Sequence, residues 1–264
     1  MTAEQPLTYD AFVELATADS AVVGLVLKGS RAHDGMITRH SDHDLYVIIA
    51  DDAPTDLTRF GGHRTADLDL VIVSLTQFRA AGMPGFERYA LARAHILLDR
   101  LDGDIAQILA DKARLNADEA FQDSRGWLDA YANSLYRSLK NHRDGRPLAA
   151  RLDAADSIRY LLELLFTLDR RPRPYNKYLE WELVRHPLPG WDTDVLLHWR
   201  HEPPRRDRPD QDHRLRAGER RPRRLLESRE LHEALTSESA GQPGVRQAQF
   251  EASRLLDQLS DSAS

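Results

Sequence analysis

Along roughly the first hundred residues the hydrophobic positions fall into short unbroken runs, separated by stretches that are polar or carry glycine. The runs at 22–27, 44–49 and 68–73 are rich in Val, Ile and Leu and have the length of buried strands, so they predict three strands. Residues 8–16 read as an opening helix, 75–81 begin a further helical section, and 94–98 add a short strand. That alternation predicts a mixed sheet with flanking helices. From residue 105 to about 184 the pattern changes period. Ile105, Ile108 and Leu109, then Leu128, Leu135 and Leu139, are spaced three, four and seven apart, as on helices of a bundle. A long amphipathic helix is expected to start near Pro147, with Leu148, Leu152, Ala155, Ile158, Leu162, Leu165 and Phe166 on its apolar side. Asp153, Asp156, Arg159 and Glu163 fall on its polar side, as a solvated face or as the lining of a cleft. The fold class is therefore α+β: a mixed-sheet domain over residues 1–100, a helical domain over 101–199, and a different kind of segment over 200–264.

The ends of two predicted strands carry the chemistry. The first run closes on Gly29-Ser30, and after eleven intervening residues Asp42-His43-Asp44 opens the second. Side chains two apart on a strand share a face, so Asp42 and Asp44 converge while His43 turns away. Two hard carboxylates at one spot suit Mg²⁺, or Mn²⁺, which keeps open positions for waters and phosphate oxygens. Gly29 permits a sharp turn and close backbone approach, and Ser30 with nearby amides can hydrogen-bond phosphate. A third carboxylate is expected on a neighbouring strand. Asp67 and Asp69 both qualify, and Asp69 is preferred because it directly precedes the run Leu70–Val73, as Asp44 precedes Leu45.

Gly29-Ser30, Asp42-x-Asp44 and a later strand carboxylate together resemble the signature of the DNA polymerase β nucleotidyltransferase superfamily. The small-molecule branch, typified by aminoglycoside and lincosamide nucleotidyltransferases, is the most similar, since the sheet domain comes first and helices follow. The resemblance covers about residues 20–195, with one departure: His43 stands where the superfamily usually has an apolar residue. It implies that residues 1–100 form the catalytic domain and 101–199 support substrate and nucleotide. Gly29 and Ser30 would hold a nucleoside triphosphate such as ATP, and Asp42, Asp44 and Asp69 would bind the metals. Asp69 either completes a metal site or deprotonates the acceptor. The implied reaction is in-line attack of a small-molecule hydroxyl on the α-phosphorus, with pyrophosphate leaving. In the aminoglycoside-type relatives a lysine of the helical part commonly reaches the triphosphate, and Pro174-Tyr175-x-Lys177 resembles that element. Tyr136, Arg137 and Lys140 are weaker candidates for the same role. The resemblance also admits a homodimer, because many relatives build the cleft across a subunit interface. Two alternatives stand beside it: transfer onto a protein side chain, as antitoxin-type relatives do, and a relative that binds nucleotide or partner without turnover.

Composition narrows this picture in three respects. The absence of cysteine excludes disulfides, thiolate metal sites and cysteine nucleophiles, leaving oxygen-ligated metal. No apolar run has membrane-spanning length and MTAEQPLTYD lacks the regions of a signal peptide, so a cytoplasmic protein without membrane contact is expected. The net charge of −6 is unevenly placed: residues 200–224, with ten arginines, five acids, four prolines and no lysine, carry +5 and leave −11 for the rest. This tract reads as a poorly ordered linker or tail, with short helices conceivable at 225–235 and 250–259. A shifted reading frame in a GC-rich gene, or contact with nucleic acid, are the other readings of it; no aromatic residue interrupts the arginines to stack on bases. The acidic body disfavours nucleic acid as acceptor and would steer a cationic one, such as an aminoglycoside-like antibiotic.

Overall fold

A computed structural model describes residues 7–83, 85 and 87–198. The readings of residues 200–264 as a linker, a frame-shifted tail or a nucleic-acid contact, and of helices within it, lie outside the described residues. The chain is α+β. Its elements are α1 (Tyr9–Ala18), β1 (Val22–Lys28), β2 (His43–Ile49), β3 (Leu68–Ser74), α2 (Leu75–Ala80), α3 (Glu87–Ala92), β4 (His95–Asp99), α4 (Asp104–Ala113), α5 (Ala117–Arg143), α6 (Pro147–Leu168), α7 (Leu179–Arg185) and α8 (Thr193–His198). Short 3-10 turns occupy Gly29–Ala32, Asp56–Phe60 and Asn176–Tyr178. No helix among the described residues is long and apolar enough to cross a membrane.

The four strands form one sheet in the order β3-β2-β1-β4. β1 pairs antiparallel with both β2 and β4, and β2 pairs parallel with β3, so the sheet is mixed as expected. Alternation sends Leu25, Leu27, Leu45, Val47, Leu68 and Leu70 to one face, where Phe12 and Ala16 of α1 cover them. Val26, Tyr46 and Ile48 go to the other, against Phe78 of α2, Leu91 of α3 and Ile105, Ile108 and Leu109 of α4. α1 starts where the Thr8 hydroxyl accepts from the Ala11 amide, and α2 where Ser74 and Gln77 cap each other's amides.

The first compact unit extends past residue 100 to Leu115 and also takes in Arg171–Tyr175. The reason is the packing of α4, which approaches so closely that a Cβ on Gly24 would meet the Ile105 side chain at 2.9 Å. In the second unit α5 and α6 lie along each other, and the C-terminal half of α6 joins α7 and α8 through Leu162, Leu165, Phe166, Leu179, Leu183 and Leu196. The expected apolar side of α6 is buried only from Leu162 onward, and Ile158 before it is exposed. Leu148 and Leu152 are exposed, because the N-terminal half meets α5 through small and polar groups instead: the Ser138 hydroxyl donates to the Ala150 carbonyl, and Asn141 donates to Asp153.

Candidate functional site

The positions of the acids follow from strand register. β1 ends opposite the start of β2, which makes Lys28 the partner of Asp44. β2 and β3 run parallel, which makes Asp44 the partner of Asp69. Lys28, Asp44 and Asp69 thus form a row across three adjacent strands, on the face shared with Tyr46 and α2–α4. His43 points to the opposite face and stacks on Tyr9 with ring centroids 3.9 Å apart. Asp67 precedes β3, and its carbonyl accepts the His43 amide at 2.9 Å. Of the two candidates for the third carboxylate, Asp69 is the one opposite Asp44.

Gly29 follows Lys28 with φ of +76°, a conformation in which a side chain is strained. The Asp44 carboxylate lies against its Cα, in the space that a Cβ would occupy. Ser30 is buried, and its hydroxyl donates to the Ser41 hydroxyl at 2.9 Å. Arg31 donates to the carbonyls of Ser41 and Asp42 at 3.0–3.3 Å, which fastens the loop before β2 to the turn after β1. Gly29, Ser30, Asp42, Asp44 and Asp69 are therefore brought to one end of the sheet. Lys177 belongs to the second unit, where it is exposed and its ammonium lies 4.6 Å from the Tyr178 ring centroid. Tyr136, Arg137 and Lys140 lie on α5, with Arg137 bound to the Ser134 hydroxyl and paired with Asp153.

Several groups here had no sequence signal. Arg64 sends Nε and Nη2 to Asp69 at 2.9 and 2.6 Å, both bonds ending on Oδ2. Those bonds, then the nearby charges of Asp44 and Asp42, raise the Arg64 pKa. Lys28 reaches Glu87 of α3 at 3.2 Å and Asp44 at a long 3.9 Å. Burial, then the charge and hydrogen bond of Glu87, push the Tyr46 hydroxyl well above the ordinary phenol range. Fully buried His33 lies behind the turn: Nδ1 donates to the Gly29 carbonyl at 2.7 Å, and Nε2 is 3.3 Å from the Tyr89 hydroxyl. Tyr89, on α3, meets Tyr175 edge-on.

No protein-family model and no curated protein matches the chain. The structure is similar to that of a nucleotidyltransferase-like protein from Exiguobacterium sibiricum 255-15, at a TM-score of 0.37 and 16% identity, over 94% of this chain and 73% of that one. A likeness at that level transfers no residue roles, and the chemistry has to come from the side chains themselves.

For a divalent cation, the donor set has the right chemistry: oxygen ligands only, aspartates from two adjacent strands, and a glycine that leaves the Asp44 carboxylate uncrowded. Among the described residues no three acidic or histidine side chains converge into a cage. Asp44 and Asp69 are the in-register pair, and the expected third carboxylate does not complete a three-ligand group with them. Two cations of the chain, Arg64 and Lys28, lie on these carboxylates.

Proposed function

We propose that the protein is a metal-dependent nucleotidyltransferase that moves a nucleoside monophosphate from a triphosphate to a hydroxyl of a small molecule. The observation that carries this reading is the in-register pair Asp44 and Asp69, with the Gly29-Ser30 turn packed directly on Asp44. Asp42, Asp44 and Asp69 would hold Mg²⁺, which when bound offsets the negative charge of the triphosphate and of the departing pyrophosphate. The chain's own groups do the rest. The amides of the turn would orient phosphate oxygens, joined by the Ser30 hydroxyl once it turns from Ser41, and the closeness of Gly29 to Asp44 would set that phosphate beside the carboxylates. The acceptor oxygen forms its bond to the α-phosphorus, its proton passes to Asp69, and the bond from the α-phosphorus to pyrophosphate breaks. Arg64 engages only Oδ2 of Asp69, which leaves Oδ1 as the oxygen for that proton. A cationic acceptor such as an aminoglycoside suits the negative body.

A second reading is a nucleotide- or partner-binding relative without turnover. Arg64 on Asp69 and Lys28 beside Asp44 favour it, because the repulsion among the acids is already relieved by the chain's own cations. The deciding experiment incubates the protein with each of the four ribonucleoside triphosphates, Mg²⁺ and pooled hydroxylated small molecules, following pyrophosphate and product mass. Acceptor-dependent pyrophosphate with a monophosphate adduct is expected. Binding of triphosphate with no adduct from any pool, protein acceptors included, would leave the binding module.

A further inference from the structure

His33 takes no part in the chemistry above, yet its side chain is completely buried and makes a short bond to the most constrained residue of the site. We infer that His33 is a positioning residue that aims the Gly29–Ser30 peptide at the phosphates, an inference resting on the nucleotide reading of the site.

A carbonyl only accepts, so the 2.7 Å contact from Nδ1 to the Gly29 oxygen requires a proton on Nδ1. In the neutral ring Nε2 is then an acceptor, and the Tyr89 hydroxyl at 3.3 Å is the donor that faces it. The tautomer is thereby fixed from both sides. A trans peptide is planar, with its C=O and N–H antiparallel. Holding the Gly29 carbonyl inward on the imidazole therefore turns the Ser30 N–H the opposite way, away from the buried ring. Gly29 at φ +76° has no side chain to restrict that plane, and the imidazole adds a second hold on a carbonyl that already belongs to the 3-10 turn Gly29–Ala32. His33 is tied into the same turn by its backbone, its own amide donating to the Ser30 carbonyl at 3.3 Å. Tyr89 in turn is buried, and its ring meets Tyr175 with centroids 6.0 Å apart. The clamp thus runs from Tyr175 through Tyr89 and His33 to the turn.

The role predicts a loss specific to phosphate. Affinities for the four ribonucleoside triphosphates and for the matching nucleosides are measured with Mg²⁺ on wild type, His33→Leu, His33→Asn and Tyr89→Phe. His33→Leu should weaken the triphosphate that binds best by about tenfold, the worth of one good hydrogen bond, and leave the nucleoside unchanged. His33→Asn, whose amide can donate from nearly the Nδ1 position, should restore most of it, and Tyr89→Phe should show a smaller loss. Equal triphosphate affinity in wild type and the leucine variant overturns the inference, as does an equal loss for triphosphate and nucleoside. Absence of any triphosphate binding by wild type is a separate failure, that of the nucleotide reading itself. Should His33→Leu not fold, ¹⁵N spectra of the wild-type imidazole and of Tyr89→Phe still decide: a proton on Nδ1 is expected, and a neutral ring protonated on Nε2 alone overturns the clamp.

Discussion

The carboxylate of Asp44 rests on the Cα of Gly29, each filling the space the other leaves. A methyl group at position 29 would displace that carboxylate and force a left-handed backbone on an L residue. Gly29→Ala should therefore cost about 1–2 kcal/mol of stability from the backbone alone. It should also abolish most nucleotidyl transfer by moving a ligand. Chemical denaturation and the pyrophosphate assay measure the two separately; an alanine variant with wild-type turnover would show that Asp44 has room to spare.

Mg²⁺ with triphosphate should raise the melting temperature of wild type, since a ligand at a hundred times its Kd adds about 2.7 kcal/mol to folding. Asp42→Asn/Asp44→Asn should lose that gain. Asp69→Asn should retain part of the gain while transfer falls by about a thousandfold, as expected when a group acting on the reacting atoms is removed. Differential scanning fluorimetry beside a turnover assay separates these outcomes, and an equal thermal gain in wild type and double variant refutes the assignment of the two aspartates.

Arg64 is largely exposed, so its pairing with Asp69 adds little to folding. Arg64→Ala should melt close to wild type. Its Asp69 carboxylate is no longer shared with a guanidinium, so half-maximal activity should need less Mg²⁺. A magnesium titration of initial rates checks this, and an unchanged or higher requirement would mean that the guanidinium serves the triphosphate instead.

Tyr46 gives a pH dependence of defined sign. Its folded-state pKa is raised, chiefly by burial and then by Glu87, so the folded protein holds the phenolic proton after an unfolded chain has begun to lose it. The stability involved is complete below the ordinary tyrosine value of about 10 and declines as pH rises beyond it. Denaturation midpoints measured from pH 8 to 11.5 should fall at the alkaline end, and less steeply in Tyr46→Phe. Identical slopes would assign the decline to other tyrosines, of which Tyr9 and Tyr131 are also raised.

The strands and their terminal acids were legible in the sequence because both follow from local order: runs of apolar residues, a period of two, and an acid at the mouth of the second and third runs. Asp69 could be preferred over Asp67 on that basis, and the parallel pairing of β2 with β3 sets it opposite Asp44. The groups that surround these acids were not legible. Lys28 meets Glu87, and His33 meets Tyr89, across chain separations that no periodicity reports. Arg64 is near Asp69 in sequence, yet its pairing depends on a bridge between residues 64 and 69 that has no pattern of its own. The exposed Leu148 and Leu152 show the opposite limit: helical spacing marks an apolar side without saying what that side meets.

Because Arg171–Tyr175 belong with the sheet and α1–α4, the first unit is written in two pieces of the gene. A fragment that stops at Leu115 would lose the Tyr175 ring beside Tyr89, and with it the far end of the buttress behind the Gly29 turn. Modularity at the level of architecture therefore does not imply separability at the level of the gene. Grafting this end of the sheet onto another protein requires carrying the later five residues as well, spliced back through a linker, and any recombination breakpoint between residues 116 and 170 would exchange one end of that buttress while keeping the other.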